Sequence, residues 1–200
     1  MGIKTSFSIK DLENLSGVKA HTIRIWEKRY NLLIPQRSDT NIRTYDLDNL
    51  QKILNVVLLY ENGMKVSKIA ALSETEMHQK VRELVVEKNS SKHAINLFKI
   101  SMFNFDQQLF DNTFNQLLTQ NSFRDIFLNV ILSLLEEIGI LWISKTITPA
   151  HEHFITTLIK QKLLINIERI QSINPDSEKT FVLFLPMHEV HDIGLLYVHF

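Results

Sequence analysis

The feature that most constrains this chain is residues 7–30, which have the pattern of two short helices around a tight turn. Ser8, followed by Asp11 three residues later, resembles a capping box and predicts the start of the first helix. Gly17 permits the backbone of a tight turn. The second helix would bury Ile23 and present long cationic side chains on its other face. This layout predicts a helix-turn-helix that reads DNA.

A hairpin is predicted directly after the second helix. Residues 38–41 (Ser-Asp-Thr-Asn) have turn chemistry between two short extended segments, and Arg37 and Arg43 flank the turn. A hairpin beside a recognition helix forms a wing, whose arginines usually contact the DNA backbone or the minor groove. Asp46 is the expected N-cap of a third helix, which Gly63 would end.

Charge and composition further narrow the class of protein to which this chain can belong. Residues 1–72 contain eleven Lys/Arg and seven Asp/Glu, whereas residues 73–200 contain eleven Lys/Arg and fifteen Asp/Glu. A basic segment on an otherwise acidic chain is typical of a protein that contacts nucleic acid at one end. The sequence has no cysteine, which excludes a disulfide scaffold and thiolate metal sites. No signal peptide is apparent, and the richest apolar run, 126–142, is interrupted by polar residues. We therefore expect a cytoplasmic protein with no segment long enough to span a membrane.

Four apolar stripes at helical spacing follow a polar connecting helix. Short connections between them predict an antiparallel four-helix bundle. The stripes comprise Ala94, Leu97, Phe98 and Met102; Leu109, Phe110, Phe114, Leu117 and Leu118; eight residues from Phe123 to Ile138; and six from Phe154 to Ile167, after a break at Thr148-Pro149.

The composition changes again after a loop at residues 174–177. Residues 180–185 form a continuous apolar run that suits a buried parallel strand. A loop to Gly194 and a helix start at Leu195 follow. A strand, a loop and a helix start in this order predict the beginning of a Rossmann-like α/β unit.

Several motifs of the head resemble the MerR family of bacterial transcription regulators. They are Thr-Ile-Arg-Ile-Trp-Glu-Lys-Arg-Tyr at 22–30, Pro-x-Arg at 35–37, Ile-Arg-x-Tyr at 42–45 and Asn-Gly-Met at 62–64. The resemblance implies contact with double-stranded DNA by Thr22, Arg24, Lys28, Arg29 and Tyr30 on the helix and by Arg37 and Arg43 on the wing. An alternative for Tyr30, as for Tyr45, is that it packs the wing against the helix.

Two further motifs resemble the cobalamin module of a subset of this family, the adenosylcobalamin photoreceptors. Trp142, nine intervening residues, and then Glu152-His153 resemble the signature of their helical cap, in which these side chains line the upper face of the cofactor. The alternative is a Trp142 packed in the core at a helix end, with Glu152 and His153 solvated in a first helical turn.

The loop near the C-terminus is similar to the Asp-x-His-x-x-Gly motif of cobalamin domains. Glu189 stands in the Asp position, with His191 and Gly194 after it. The resemblance makes His191 the lower axial ligand of cobalt and Glu189 the residue that orients its imidazole. Ile143 stands where the photoreceptors have a histidine directly after the signature Trp, which argues against a bis-histidine light adduct.

These patterns predict a mainly α chain with four parts. Residues 1–73 would form a winged helix-turn-helix, 74–92 a connecting helix, 93–173 a four-helix cobalamin cap, and 178–200 the first strand and ligand loop of a truncated Rossmann-like α/β domain. We expect a homo-oligomeric DNA-binding regulator, a dimer or tetramer, that acts on RNA polymerase and is controlled by adenosylcobalamin, with light as a further possible input.

Two alternatives remain open at this point. In the first, the helical bundle senses another apolar ligand or a partner protein, and the chain binds no cobalamin. A cobalamin-dependent methyltransferase would also contain a cap and a cobalamin domain, but the DNA reader and the lack of a substrate domain argue against an enzyme.

Overall fold

A computed structural model describes residues 4–38, 41–88, 91–170 and 181–200. The described chain is mainly helical, as predicted. The helices are α1 Ile9–Ser16, α2 Ala20–Tyr30, α3 Leu47–Glu61, α4 Val66–Ala70, α5 Glu74–Lys88, α6 Ser91–Asn104, α7 Gln107–Leu118, α8 Phe123–Ile126, α9 Leu132–Ile143, α10 Pro149–Ile170 and α11 Ile193–His199. Three short strands, β1 Phe7–Ser8, β2 Gln36–Arg37 and β3 Arg43–Tyr45, form one antiparallel sheet in the order β1-β3-β2.

The local signals of the helix-turn-helix are confirmed. The Ser8 hydroxyl accepts from the backbone N–H of Asp11, and the Asp11 carboxylate accepts from the backbone N–H of Ser8. Gly17 ends α1 at φ 74°, and Gly63 follows α3 at φ 92°, both in the left-handed region that favours glycine. The Asp46 side chain accepts from the backbone N–H of the third residue of α3 at 2.9 Å.

The predicted wing is confirmed, with one strand more than expected. β2 pairs with β3, which places Arg37 opposite Arg43, and the tip residues 39–40 lie outside the described residues. The unpredicted β1 pairs Phe7 with Tyr45 on the other side of β3. A strand of two residues is too short for alternation to reveal it, so only its pairing partner defines it.

The four-helix bundle is also confirmed and consists of α6, α7, α8–α9 and α10. A π-helical turn over Phe127–Ile131 joins α8 to α9, so Phe123–Ile143 is one helix of 21 residues. By length and composition this helix could cross a membrane, and the expectation that no run is long enough was wrong. The polar residues that interrupt the apolar run in the sequence do not break the helix. They lie on other faces of it than Val130, Leu134 and Ile138, which are buried in the bundle.

Helix α6 differs from its predicted single apolar stripe. Ile95, Ile100 and Phe103 lie outside that stripe and are as buried as its members. Even Lys99 is only 3% exposed. A helix that is apolar around most of its circumference lies between two packed layers, and α6 lies between the head and the rest of the bundle.

The predicted buried strand at 180–185 is absent from the part of it that the structure describes, residues 181–185. Thr180 lies outside the described residues, residues 181–185 have no regular secondary structure, and Phe181, Val182 and Phe184 are more than three-quarters exposed. A parallel strand needs neighbouring strands for its backbone hydrogen bonds, and no described strand lies beside this segment. The predicted loop and helix start follow it, because α11 begins at Ile193.

His151 is buried in the first turn of α10. The backbone N–H of Thr148 donates to Nδ1 at 3.2 Å, so the neutral ring carries its proton on Nε2, which has no hydrogen-bond partner among the described residues. The ring stacks on Phe105 at 5.1 Å. Burial lowers the pKa of His151, and the nearby positive charge of Lys4 lowers it further.

Because the buried His151 is neutral, we expect the protein to become less stable as the pH falls. The unfolded histidine has a pKa near ~6.5, above that of the folded one, so the unfolded state takes up a proton first as the pH falls. We expect the free energy of unfolding of the wild type to fall between pH 7.5 and 5.5 by more than that of His151→Phe, with a difference of up to about 1.4 kcal/mol per pH unit. Urea unfolding across this range measures it.

His93, whose pKa is also lowered by burial, titrates in both proteins and cancels in the difference. The exposed His199 provides the control His199→Phe, which should follow the wild-type profile. Parallel profiles for the wild type and His151→Phe would contradict a neutral buried His151.

Candidate functional sites

The recognition helix α2 presents a cationic face. Arg24, Lys28 and Arg29 are exposed on it, whereas Thr22 and Tyr30 are half-buried. Ile23 and Trp26 on the opposite face are buried in the head. Arg37 on the wing is exposed and hydrogen-bonded to Asn41. Five of the seven predicted DNA-contacting side chains belong to α2, and the wing adds the other two beside it.

Glu27 fastens the wing to the recognition helix. Its carboxylate accepts from Arg43 Nε at 3.0 Å and from the Tyr45 hydroxyl at 3.0 Å, and both donors lie on β3. The bond to Glu27 raises the pKa of Arg43. Burial, followed by the hydrogen bond from its own hydroxyl to Glu27, raises the pKa of Tyr45. The sequence motifs predict Arg43 as a DNA contact and assign no role to Glu27. A carboxylate among the cations of the predicted DNA-binding surface is the signal that points to it.

A second carboxylate holds the N-terminus of α2. Lys19, the N-cap residue, makes no side-chain capping bond. Instead Glu13 of α1 accepts from the backbone N–H of Ala20 at 3.0 Å. That bond, followed by those from Lys10 and Lys19, lowers the pKa of Glu13 to about 2. A negative charge at this end complements the helix dipole, so α1 fixes where the recognition helix begins.

A cleft of about 770 Å³ lies between α9, α10 and the loop that precedes α11. Five of the six predicted cofactor-binding residues line it: Trp142, Glu152, His153, His191 and Gly194. Thr156, Thr157 and Lys160 on α10 also line it and were not singled out from the sequence. The indole of Trp142 is about half exposed, so it is a wall of the cleft and not a core residue.

His191 reaches the cleft with one ring nitrogen already engaged. Glu189 Oε1 lies 2.6 Å from His191 Nδ1 and also accepts from the backbone N–H groups of Val190 and His191. These bonds, led by the backbone N–H of His191, lower the pKa of Glu189. Nε2 is therefore left as the nitrogen available to a ligand, which is the arrangement that metal-binding histidines require.

The loop that carries His191 is attached to the cap by residues that follow it in the chain. Lys160 of α10 pairs with Asp192 at 2.7 Å. Tyr197 of α11 stacks on Phe127 with ring centroids 4.0 Å apart, and Phe200 meets Phe123 edge-on at 4.8 Å. On the opposite wall His153 Nδ1 lies 2.8 Å from the carboxylate of Glu152. The arrangement offers a flat apolar wall, hydrogen-bonding groups and one imidazole nitrogen.

Two family models match separate parts of this chain. The model described as MerR HTH family regulatory protein matches residues 7–76. The model described as B12 binding domain matches residues 94–165, which run from α6 to α10. The chain therefore joins a MerR-type helix-turn-helix region to a helical region of the B12-binding type, in the order that the motifs predicted.

Two similar proteins match most of the chain, and a third matches a shorter part of it. The HTH-type transcriptional repressor CarH of Myxococcus xanthus is 25% identical over 198 residues, which are 96% of this chain and 65% of the relative. The HTH-type transcriptional repressor CarA of Myxococcus xanthus is 29% identical over 160 residues, 78% of this chain and 50% of the relative. The HTH-type transcriptional regulator MlrA of Escherichia coli (strain K12) is 31% identical over 70 residues, 35% of this chain and 29% of the relative. The chain thus spans less than two thirds of the length of these relatives.

The Glu27 contact predicts a stability loss that a surface ion pair would not give. Glu27→Ala leaves the buried Tyr45 hydroxyl and the half-buried Arg43 without their acceptor, so we expect a loss of about 1–3 kcal/mol in the free energy of unfolding. Urea denaturation measures it. Glu83→Ala removes an exposed pair with Lys80 and should change the same quantity much less, because exposed ion pairs contribute little to stability. Equal effects in the two variants would contradict the structural role of Glu27.

Proposed function

We propose that this chain, which joins a MerR-type helix-turn-helix region to a B12-binding region, is a transcriptional regulator whose occupancy of double-stranded DNA is controlled by cobalamin. One observation carries the proposal. A single cleft gathers Trp142, Glu152, His153, His191 and Gly194 from two separate sequence motifs, behind a head with a cationic recognition helix. Neither motif by itself predicts that the other lies close to it in space.

The head would bind DNA through residues that its own ion pairs leave available. Arg24, Lys28 and Arg29 are exposed on α2 and would contact phosphates and base edges in the major groove. Thr22 and Tyr30 would support them from the edges of the same face. Arg37 would contact DNA from the wing, and Arg43, whose Nε is held by Glu27, would contribute its remaining guanidinium nitrogens.

The residues of the cleft fit the chemistry of cobalamin. Bound cobalamin would supply a cobalt ion that accepts an imidazole nitrogen. His191 Nε2 would coordinate this ion, because Glu189 already holds Nδ1. Gly194 has open space where a Cβ would stand, which permits close approach of a large ligand. The Trp142 indole would pack against the cofactor, and Glu152 and His153 would hydrogen-bond its polar groups.

We propose adenosylcobalamin as the form that is bound. The wall of the cleft formed by Trp142 and Glu152 combines an apolar ring with a carboxylate that can accept hydrogen bonds from ribose hydroxyl groups. The exposed residue after Trp142 is Ile143, which has no metal-binding atom. Light sensing through a histidine at this position is therefore not part of the proposal.

The control would act through assembly on DNA. A cytoplasmic homo-oligomer, dimeric or tetrameric, would engage repeated DNA sites with an avidity that exceeds the affinity of one head. Cobalamin would shift the population between assembly states that bind DNA differently and so change the access of RNA polymerase. The relatives are transcription regulators, which supports a regulatory and not an enzymatic role.

Cobalamin binding is tested on the protein's absorption spectrum. We expect His191→Ala to remove the spectral signature of histidine ligation and to weaken binding at least as much as Glu189→Ala, which should cost about 10–100-fold because it acts on the orientation of the ligand. The matched control His199→Ala, on an exposed histidine of α11, should retain the wild-type spectrum and affinity. Wild-type protein without a bound corrin spectrum after mixing with adenosylcobalamin would eliminate the sensor.

DNA contact is tested by the salt dependence of binding to a duplex selected from a random pool. Each phosphate contact that is lost lowers the slope of log K against log salt by about 1. Arg24→Ala and Lys28→Ala should each lower the slope or relax base preference. Lys52→Ala, on an exposed lysine of α3, should do neither. The same slope and the same base preference in all four proteins would rule out α2 as the DNA-binding helix.

A further inference from the structure

The head and the cap are packed directly on each other through α6. Phe103 on α6 meets Phe7 of β1 edge-on, with ring centroids 5.1 Å apart. On the opposite side Phe98 contacts Phe110 of α7 at 4.8 Å. These four rings are at most 1% exposed and belong to one continuous core. The position of the DNA reader relative to the cap is thus set by side-chain packing in this conformation.

One buried cation crosses this interface. Lys99 of α6 donates to the backbone carbonyl of Leu15 at 3.1 Å and to Glu137 Oε2 at 2.7 Å. Leu15 lies in the last turn of α1, where backbone carbonyls have no partner within the helix. A cation there also complements the negative end of the helix dipole. Burial lowers the pKa of Lys99, whereas Glu137 raises it.

The two partners of Lys99 lie on functionally different elements. Glu137 belongs to α9, whose next two residues, Ile138 and Gly139, line the cleft together with Trp142. Leu15 belongs to α1, which also carries Glu13, the carboxylate that holds the first N–H of the recognition helix. Lys99 therefore connects the wall of the cleft to the helix that positions α2.

A second polar contact joins the same helix to the loop between α9 and α10. Asn14 Nδ2 donates to Thr146 Oγ1 at 2.9 Å, and Lys4 Nζ donates to the Thr146 carbonyl at 2.8 Å. This loop separates Trp142 from Glu152 and His153 in the chain. The first contact thus reaches α9, which carries Trp142, through Lys99, and the second reaches the loop that joins the two helices lining the cleft.

We propose that the contacts of α1 with Lys99 and Thr146 couple the cleft to the DNA-reading helix, so that cobalamin changes DNA affinity by displacing α9 and the following loop against α1. The inference rests on the proposed function for the identity of the ligand. It adds a route within one chain, distinct from assembly of several chains, and it makes Lys99 a positioning residue that contacts neither DNA nor the cleft.

The test compares the full-length wild type with Lys99→Met, which keeps the length of the side chain and removes the donor. DNA affinity is measured with and without adenosylcobalamin, and the absorption spectrum of the same samples reports cobalamin binding. We expect Lys99→Met to bind cobalamin as the wild type does. The ratio of the two DNA affinities should fall by about fivefold or more, the lower range of measured coupling between sites.

Lys162→Met is the matched control, because Lys162 is partly buried and pairs with Asp111 inside the cap at 2.6 Å. It should keep the wild-type ratio. If Lys99→Met does not fold, Asn14→Ala removes the second contact and should lower the ratio in its place. An unchanged ratio in the folded variants, or equal losses in Lys99→Met and Lys162→Met, overturns the coupling and leaves the cobalamin proposal intact. A wild type with no corrin spectrum overturns the proposed function instead.

A cobalamin-independent measurement tests the docked interface itself. The chain has no cysteine, so Asn14→Cys with Thr146→Cys creates a unique pair of neighbouring thiols, which a mild oxidant can join as a disulfide when the head and cap are docked. Adding Lys99→Met should slow this cross-linking by about tenfold, since the lost bonds involve a charged group. Equal rates with and without Lys99 would overturn its role in docking, whatever the ligand of the cleft is.

Discussion

The burial of α6 around most of its circumference is the constraint on which the rest of the structure depends. The rings of Phe98 and Phe103 fill opposite sides of this helix, one toward the bundle and one toward the head. Removing one such buried ring typically costs about 3–5 kcal/mol, so neither interface is incidental to stability. Because one helix belongs to both cores, the DNA reader and the cleft share a single packed interior.

Carboxylates and amines at helix ends then set the finer geometry of the head. Glu13 stands at the positive end of α2, and Lys99 stands at the negative end of α1. Glu27 joins the wing to α2 through two donors on one strand. These groups use charge to orient helices and strands, and Arg24, Lys28 and Arg29 stay exposed on α2.

The cleft is also formed by residues that are far apart in the sequence. Trp142, Glu152 and His153 lie on two successive helices, and His191 arrives on a separate loop. The ring stack of Tyr197 on Phe127 and the pair of Lys160 with Asp192 hold that loop against the cap. Glu189 meets the imidazole of His191 although its side chain is one methylene longer than the aspartate of the motif it resembles.

The sequence by itself determined the elements that depend on neighbouring residues. The capping box at Ser8, the glycine at the turn, the wing and the four helical stripes all arise from contacts within a few positions, so spacing predicts them. Only the tertiary structure decided the second buried face of α6, the contacts of Glu27 and Lys99, and the absence of a strand at 181–185. Each of these depends on a partner that is distant in sequence, and a lone apolar run or a lone charge does not specify which partner it will meet.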